Sequence, residues 1–337
     1  MILYIVTILL LFLAGVRIRN NDGGILSQND TTIINGVFAL IILISHSTQY
    51  YEFPGGILNS LYLHFKNFHN QWVVTTFLAF SGFGVMSQIM GGGQYVKKYP
   101  KNRILKTLIN FDIAVLLYLL LNILIGKEYL ISEIILSFTG VTGIGNSNWY
   151  IFDILIMYII SYSAARLFSN NYVKQAVVVT VGTVSFIVIM DLVGMPSRFI
   201  STVSCYALGV WLAVYKEKVV AVIKNKKIPT IAVLYAVLIL TYKLRYNDYI
   251  MNLASLAFVM VFVWCEVFFE LNNKVLLWIG KHAFSIFILQ RIPMIVFENY
   301  GILVNQPYVF VFVSLVVTII ISIVFDKAIG KMNKAVF

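Results

Sequence analysis

Long apolar stretches broken by short polar ones run along the whole chain. Stretches close to the length of a membrane-crossing helix, about 17–25 residues, fall at 2–16, 32–48, 71–90, 104–125, 148–168, 172–193, 199–215, 229–243, 250–270, 275–297 and 308–325. They are apolar all round rather than along one stripe, as expected of helices that face lipid or lie inside a bundle. The pattern predicts an all-α fold, a polytopic transmembrane helical bundle of about 10–11 spans. One segment breaks it. Residues 130–145 are apolar at Ile131, Ile134, Ile135, Leu136 and Phe138 but carry Glu133 and end in Gly140, Gly143 and Gly145. A re-entrant or interfacial segment is expected there, since irregular backbone at membrane depth is tolerated where it lines a cavity. The longest outside loop, 49–70, reads as aromatic and polar, and no internal repeat is found. A single membrane domain over 1–337 is the expected organisation.

Composition agrees and removes the alternatives. Of 337 residues 60% are hydrophobic and 12% charged, with a mean hydropathy of +0.88. A soluble enzyme carries about 25% charged residues, and a disordered or collagen-like chain carries far more Pro than the 6 present. Cys205 and Cys265 lie within apolar runs, so packing is expected of them, and no metal-ligand spacing occurs. The first run has no basic residue ahead of it and no small-x-small cleavage site before Arg17 and Arg19, so a retained helix is expected rather than a cleaved signal.

The net charge of +11 changes meaning once each charge is placed. If 130–145 does not cross, nineteen of the 25 Lys and Arg fall on one side, and Lys66, Lys127, Arg198, Lys243, Arg245 and Arg291 on the other. If it crosses, the split is eleven against fourteen. Positive residues concentrate in the cytoplasm, which predicts an N-terminus outside and a C-terminus inside the cell membrane. The basic excess is then an orientation signal, and no nucleic-acid partner is implied.

Polar groups inside spans are costly and mark functional candidates. His46 ends the second run within Leu43-Ile44-Ser45-His46-Ser47, and Asn35 precedes it by eleven residues. At about 100° per residue that spacing returns within about 20° of the same face, with an axial separation of about 16 Å. One helical face thus carries a polar group near the cytoplasm and an imidazole, the usual general base at neutral pH, toward the outside. Asp153 can orient a histidine or bind a polar substrate. Asp112 and Glu266 read as structural, Glu266 close enough to its helix end to reach water. Arg291 must face a partner, water or substrate, because its charge is permanent. Packing is the reading of the glycines in Phe80-Ser81-Gly82-Phe83-Gly84.

In this order the motifs resemble those of the acyltransferase 3 family of integral membrane O-acyltransferases. Ile34-Asn35-Gly36-Val37-Phe38 through Leu43-Ile44-Ser45-His46 is similar to its first signature helix, and Phe77-Leu78-Ala79-Phe80-Ser81-Gly82-Phe83 to its Phe-rich helix. Tyr99-Pro100-Lys101-Asn102-Arg103-Ile104-Leu105-Lys106 resembles its basic cytoplasmic turn. Gly145-Asn146-Ser147-Asn148-Trp149-Tyr150 and Ile279-Gly280-Lys281-His282-Ala283-Phe284-Ser285-Ile286-Phe287 resemble the later segments. The resemblance spans about 31–330, leaving 1–30 as an extra N-terminal helix and loop. It implies transfer of a short acyl group, usually acetyl, from acyl-CoA as co-substrate to a hydroxyl of a cell-envelope or extracellular polysaccharide, free or lipid-linked, with no bound cofactor. On that footing His46 and Asp153 are the catalytic candidates, and Asn35, Lys101, Arg103 and Lys106 the donor-binding ones. Ser45, Ser81, Trp149, Tyr150, Ser285 and Arg291 are candidates for the acceptor or the pocket wall. The family's first motif carries Arg where this chain has Asn35, which shifts donor charge recognition to the 97–106 turn. A transporter or flippase for polysaccharide intermediates is the rival reading, for which Asp112, Asp153 and Arg291 would serve equally well. Repeat halves and paired broken helices, which many transporters show, are not apparent.

Overall fold

The computed structural model describes residues 1–19, 24–69, 71–244 and 246–336, and each predicted span falls on helix. The elements run α1 (Ile2–Ala14), β1 (Val16–Ile18), α2 (Gln28–Ser47), α3 (Ile57–His69), α4 (Trp72–Met90) and α5 (Gly93–Tyr99). A π-helical turn (Pro100–Leu105) leads into α6 (Lys106–Leu124), then α7 (Ile131–Ser137), α8 (Trp149–Leu167) and α9 (Tyr172–Leu192). After a 3₁₀ turn (Ser197–Phe199) come α10 (Ser204–Val214), α11 (Lys216–Asn225), α12 (Lys227–Tyr242), α13 (Asp248–Phe268) and β2 (Phe269–Leu271). The chain closes with α14 (Lys274–Lys281), α15 (Ala283–Leu289), α16 (Arg291–Asn299) and α17 (Pro307–Val336). Among the described residues eight helical segments are long and apolar enough to cross a membrane. A ninth is the pair α14 and α15–α16, bent by 58° at its break, while α1 and α12 are apolar but shorter.

Between α1 and α13 a small antiparallel ribbon pairs Val16 with Leu271, Arg17 with Glu270 and Ile18 with Phe269. It marks one end of the bundle, here the ribbon end. Asp30, in the first turn of α2, ties the ribbon down: its carboxylate accepts from Arg19 (2.9 Å), the Ser27 hydroxyl (2.8 Å) and the Leu271 N–H (2.8 Å). Glu266 does not reach water as its place near a helix end suggests. It is buried and accepts the Leu26 N–H, because the 24–26 segment folds over the end of α13.

α2 is the central helix, buried along most of its length and packed on α1, α4, α14, α15, α16 and α17. Glycines set two of the closest approaches. A Cβ on Gly280 would lie 1.8 Å from the Thr32 carbonyl oxygen of α2, and one on Gly209 would lie 1.9 Å from the Ala79 oxygen of α4. Gly82 serves the same α4–α10 contact, whereas a Cβ on Gly84 would meet nothing within 4 Å. The packing reading of the glycine pair thus holds for the first and not the second.

Two connections carry more structure than a plain loop. In 49–70 the apolar positions Ile57, Leu58, Leu61, Tyr62, Phe65 and Phe68 recur at helical spacing, and they form α3 at the end opposite the ribbon, the far end. In 130–145 only seven residues are helical, about 10 Å of rise, far short of a bilayer core. The chain then turns back through Gly140 and Gly145, both at positive φ (77° and 99°). Asparagine side chains hold that turn: Asn122 donates to the Ile144 carbonyl (2.7 Å) and Asn148 to the Gly140 carbonyl (2.7 Å).

Candidate active site: two cavities on one helix face

Eleven residues of α2 separate Asn35 from His46, and each lines a different cavity of about 540 Å³. The two cavities share three wall residues, Ile42 from α2, Val74 from α4 and Phe287 from α15. Phe287 meets Tyr150 edge to face at 5.5 Å between ring centres. A thin apolar partition therefore lies between a chamber at the ribbon end and one at the far end, and the signature face of α2 runs along both.

The ribbon-end cavity opens past Leu26, Gln28 and Thr31 and includes Asn35, Ser81 and Tyr150 deeper in. Its cations are Arg103 and Lys281. Arg103 lies within the π-helical turn, and its Nε donates to the Tyr95 hydroxyl (3.1 Å). A π turn adds one residue per backbone ring, which rotates the next helical turn about the axis and often marks a functional position. Lys101 and Lys106, the other basic residues of this turn, do not line the cavity. Asn35 Oδ1 is buried without a hydrogen-bond partner, an acceptor free for a ligand donor.

At the far end the second cavity is lined by Ser45, His46, Trp149 and Arg291, together with Arg198 and the 143–148 turn. Nδ1 of His46 is buried and lacks a hydrogen-bond partner, which leaves Nε2 as the nitrogen open to the cavity. The polar groups acting on the imidazole are Arg291, Lys66 and Gln290. Gln290 is fully buried, its Nε2 donates to the Phe287 carbonyl (3.0 Å), and its Oε1 is unpartnered. Oε1 of Gln290 and Nδ1 of His46 are thus both unpartnered, and the Gln290 side chain is the uncharged group that acts on the imidazole. Arg291 donates to the Tyr50 hydroxyl (3.1 Å) and the Ser147 hydroxyl (3.3 Å). Burial raises the Tyr50 phenol above its ordinary value despite Arg291 opposing the shift, so its hydroxyl is neutral near pH 7.

Two expected site residues lie elsewhere. Asp153 is fully buried on α8, both carboxylate oxygens are unpartnered, and it lines neither cavity. Ser285 turns away from the cavities toward α17, where its hydroxyl and the His282 Nδ1 both bond Asp326. That linkage pins the bend between α14 and α15, directly beside Lys281. The sequence pattern does not assign Gln290, Arg198, Lys66 or Lys281 to the site. Each joins it through a neighbouring helix or a surface turn, a contact that leaves no mark in local spacing.

A family model described as an acyltransferase domain matches residues 33–327, nearly the whole chain. No curated protein and no solved structure matches.

Proposed function

The chain belongs to the acyltransferase 3 domain family, and from that membership we propose that it is a membrane O-acyltransferase. In this reading it moves a short acyl group, acetyl first, from acyl-CoA to a hydroxyl of a cell-envelope or extracellular polysaccharide. One observation carries it: Asn35 and His46 lie on one face of α2 but in two cavities, divided only by Ile42, Val74 and Phe287.

The ribbon-end cavity is the donor side. Most lysines and arginines lie at that end, which orients it to the cytoplasm, where acyl-CoA is made. Arg103 and Lys281 meet the CoA phosphates, in place of the arginine that Asn35 replaces, while Asn35 accepts from an amide of the pantetheine arm. From Asn35 the arm runs along α2 for about 10 Å to Ile42, so its thioester arrives at the partition. The acceptor hydroxyl enters from the far end. His46 Nε2 takes its proton as the oxygen attacks the thioester carbon; the carbon–sulfur bond breaks, and the imidazolium returns the proton to the departing CoA thiolate. Gln290 Oε1 accepts from Nδ1–H throughout, which fixes the tautomer and stabilises the transient cation.

Purified protein given labelled acetyl-CoA and a polysaccharide acceptor tests this. A folded His46→Ala variant is expected to lose about 10²–10⁴ in transfer, the usual contribution of a general base. Wild-type turnover by that variant contradicts the assignment, and glycan movement independent of acyl-CoA points to a carrier instead.

A further inference from the structure

The far-end cavity is built for charge of one sign. Arg291 and Arg198 both line it, and no Asp or Glu is among its lining residues. Arg291 is half-buried, yet both of its side-chain partners, Tyr50 and Ser147, are hydroxyls. Lys66 adds a third positive charge that acts on His46, and its hydrogen bonds go to the Thr48 hydroxyl (2.6 Å) and the Ser45 carbonyl (3.3 Å). Glu298 of α16 influences Tyr50 but does not line the cavity. Among the described residues the ion pairs are Arg19–Asp30 and His282–Asp326, so neither cavity arginine has a carboxylate partner.

Retaining the half-buried Arg291 guanidinium without counter-charge is costly, while Arg198, exposed and lying over the Phe199 ring (5.6 Å), is open to a ligand from the outer side of the cavity. Their planar forks match the two oxygens of a carboxylate or phosphate. Neutral sugar hydroxyls need no such groups, and among the lining residues the exposed Gln49 already offers an uncharged amide for them. The His46 imidazole works on a hydroxyl, so the anion belongs beside the acylated position rather than on it.

We propose that the acceptor is anionic: a glycan that presents a carboxylate or a phosphate to Arg291 and Arg198 while its neighbouring hydroxyl reaches His46. This rests on the acyltransferase reading and narrows its acceptor class. The two anion sources, an acidic sugar and a phosphate-bearing carrier or polymer, share this chemistry.

The test needs no acyl donor, so its failure is separable from that of the transfer reaction. In a Cys265→Ser background a cysteine replaces Gln49 in the far-end cavity, and its rate of reaction with N-ethylmaleimide is measured at constant ionic strength. Methyl glucuronide, glycerol phosphate and methyl glucoside are compared as protecting probes. At least one of the two anions is expected to slow labelling about threefold or more at a concentration where the glucoside does not. Which anion protects identifies the source. Arg198→Gln/Arg291→Gln should abolish the difference, and Arg198→Lys/Arg291→Lys, which keeps the charge, should retain part of it. Equal protection by all three probes, protection by none, or charge-selective protection that survives in the double Gln variant overturns the proposal. Selective protection by a protein that fails to transfer acyl groups leaves the anion site standing but overturns its role as an acceptor site together with the acyltransferase reading beneath it.

Discussion

Among single residues, the proposed mechanism rests on His46 and Gln290. A general base presents one ring nitrogen to its substrate and must hold its proton on the other. Asp153 is the residue that the sequence suggests for this task, but it lies fully buried on α8, beside Tyr150 rather than His46, and lines neither cavity. The buried Gln290 oxygen is unpartnered, and the Gln290 side chain acts on the imidazole, so the proposed mechanism gives it this task. A hydrogen bond to a charged group contributes about 1.5–3 kcal/mol, so Gln290→Leu should lower kcat by about 10–100-fold with the donor KM unchanged. Gln290→Glu, which keeps the acceptor oxygen, should recover much of that loss. A role confined to packing would instead lower the thermal midpoint and move KM with kcat, and Glu would not rescue. The Asn35/His46 face was legible because 3.6-residue periodicity is local. Gln290 was not, since it joins the site across a helix–helix contact and reads in its own segment as one more polar interruption.

For the helices, the proposed mechanism depends on how α2, α4 and α15 share one partition. In it the acyl group passes Ile42, Val74 and Phe287, whose bulk then limits its length. Phe287→Ala should shift the preference toward longer acyl-CoA donors, raising kcat/KM for butyryl- relative to acetyl-CoA by about tenfold, since a methylene accommodated in an apolar pocket is worth about 1–3 kcal/mol. An unchanged chain-length profile would place the acyl path elsewhere. At this scale the sequence was informative in part. The span positions could be read from apolar run length, and the failure of 130–145 to cross from where the basic residues lie. The helical part of 49–70 was missed because its aromatic and polar residues obscure an apolar repeat present at Ile57, Leu61 and Phe65. The ribbon was beyond reach, because three-residue strands some 250 positions apart leave no periodic signal. The basic turn was visible, but not that its π geometry brings Arg103 rather than Lys101 or Lys106 to the cavity.

On the scale of the whole molecule, the account predicts a vectorial reaction. The antiparallel course of the spans places both termini, the ribbon and the lysine clusters: Met1 donates to Asn59 at the far end, while α17 runs back toward the ribbon end. In the proposed mechanism acyl-CoA enters at one end, the acceptor at the other, and the acyl group alone passes the partition. The most direct test is acyl transfer in proteoliposomes whose orientation has been determined, with labelled acetyl-CoA supplied on one side and polysaccharide on the other. Transfer is expected when acetyl-CoA is on the ribbon side and the acceptor on the far side, and loss of it in His46→Ala. Equal transfer with donor and acceptor exchanged, or with both confined to the far side, would contradict the two-cavity mechanism.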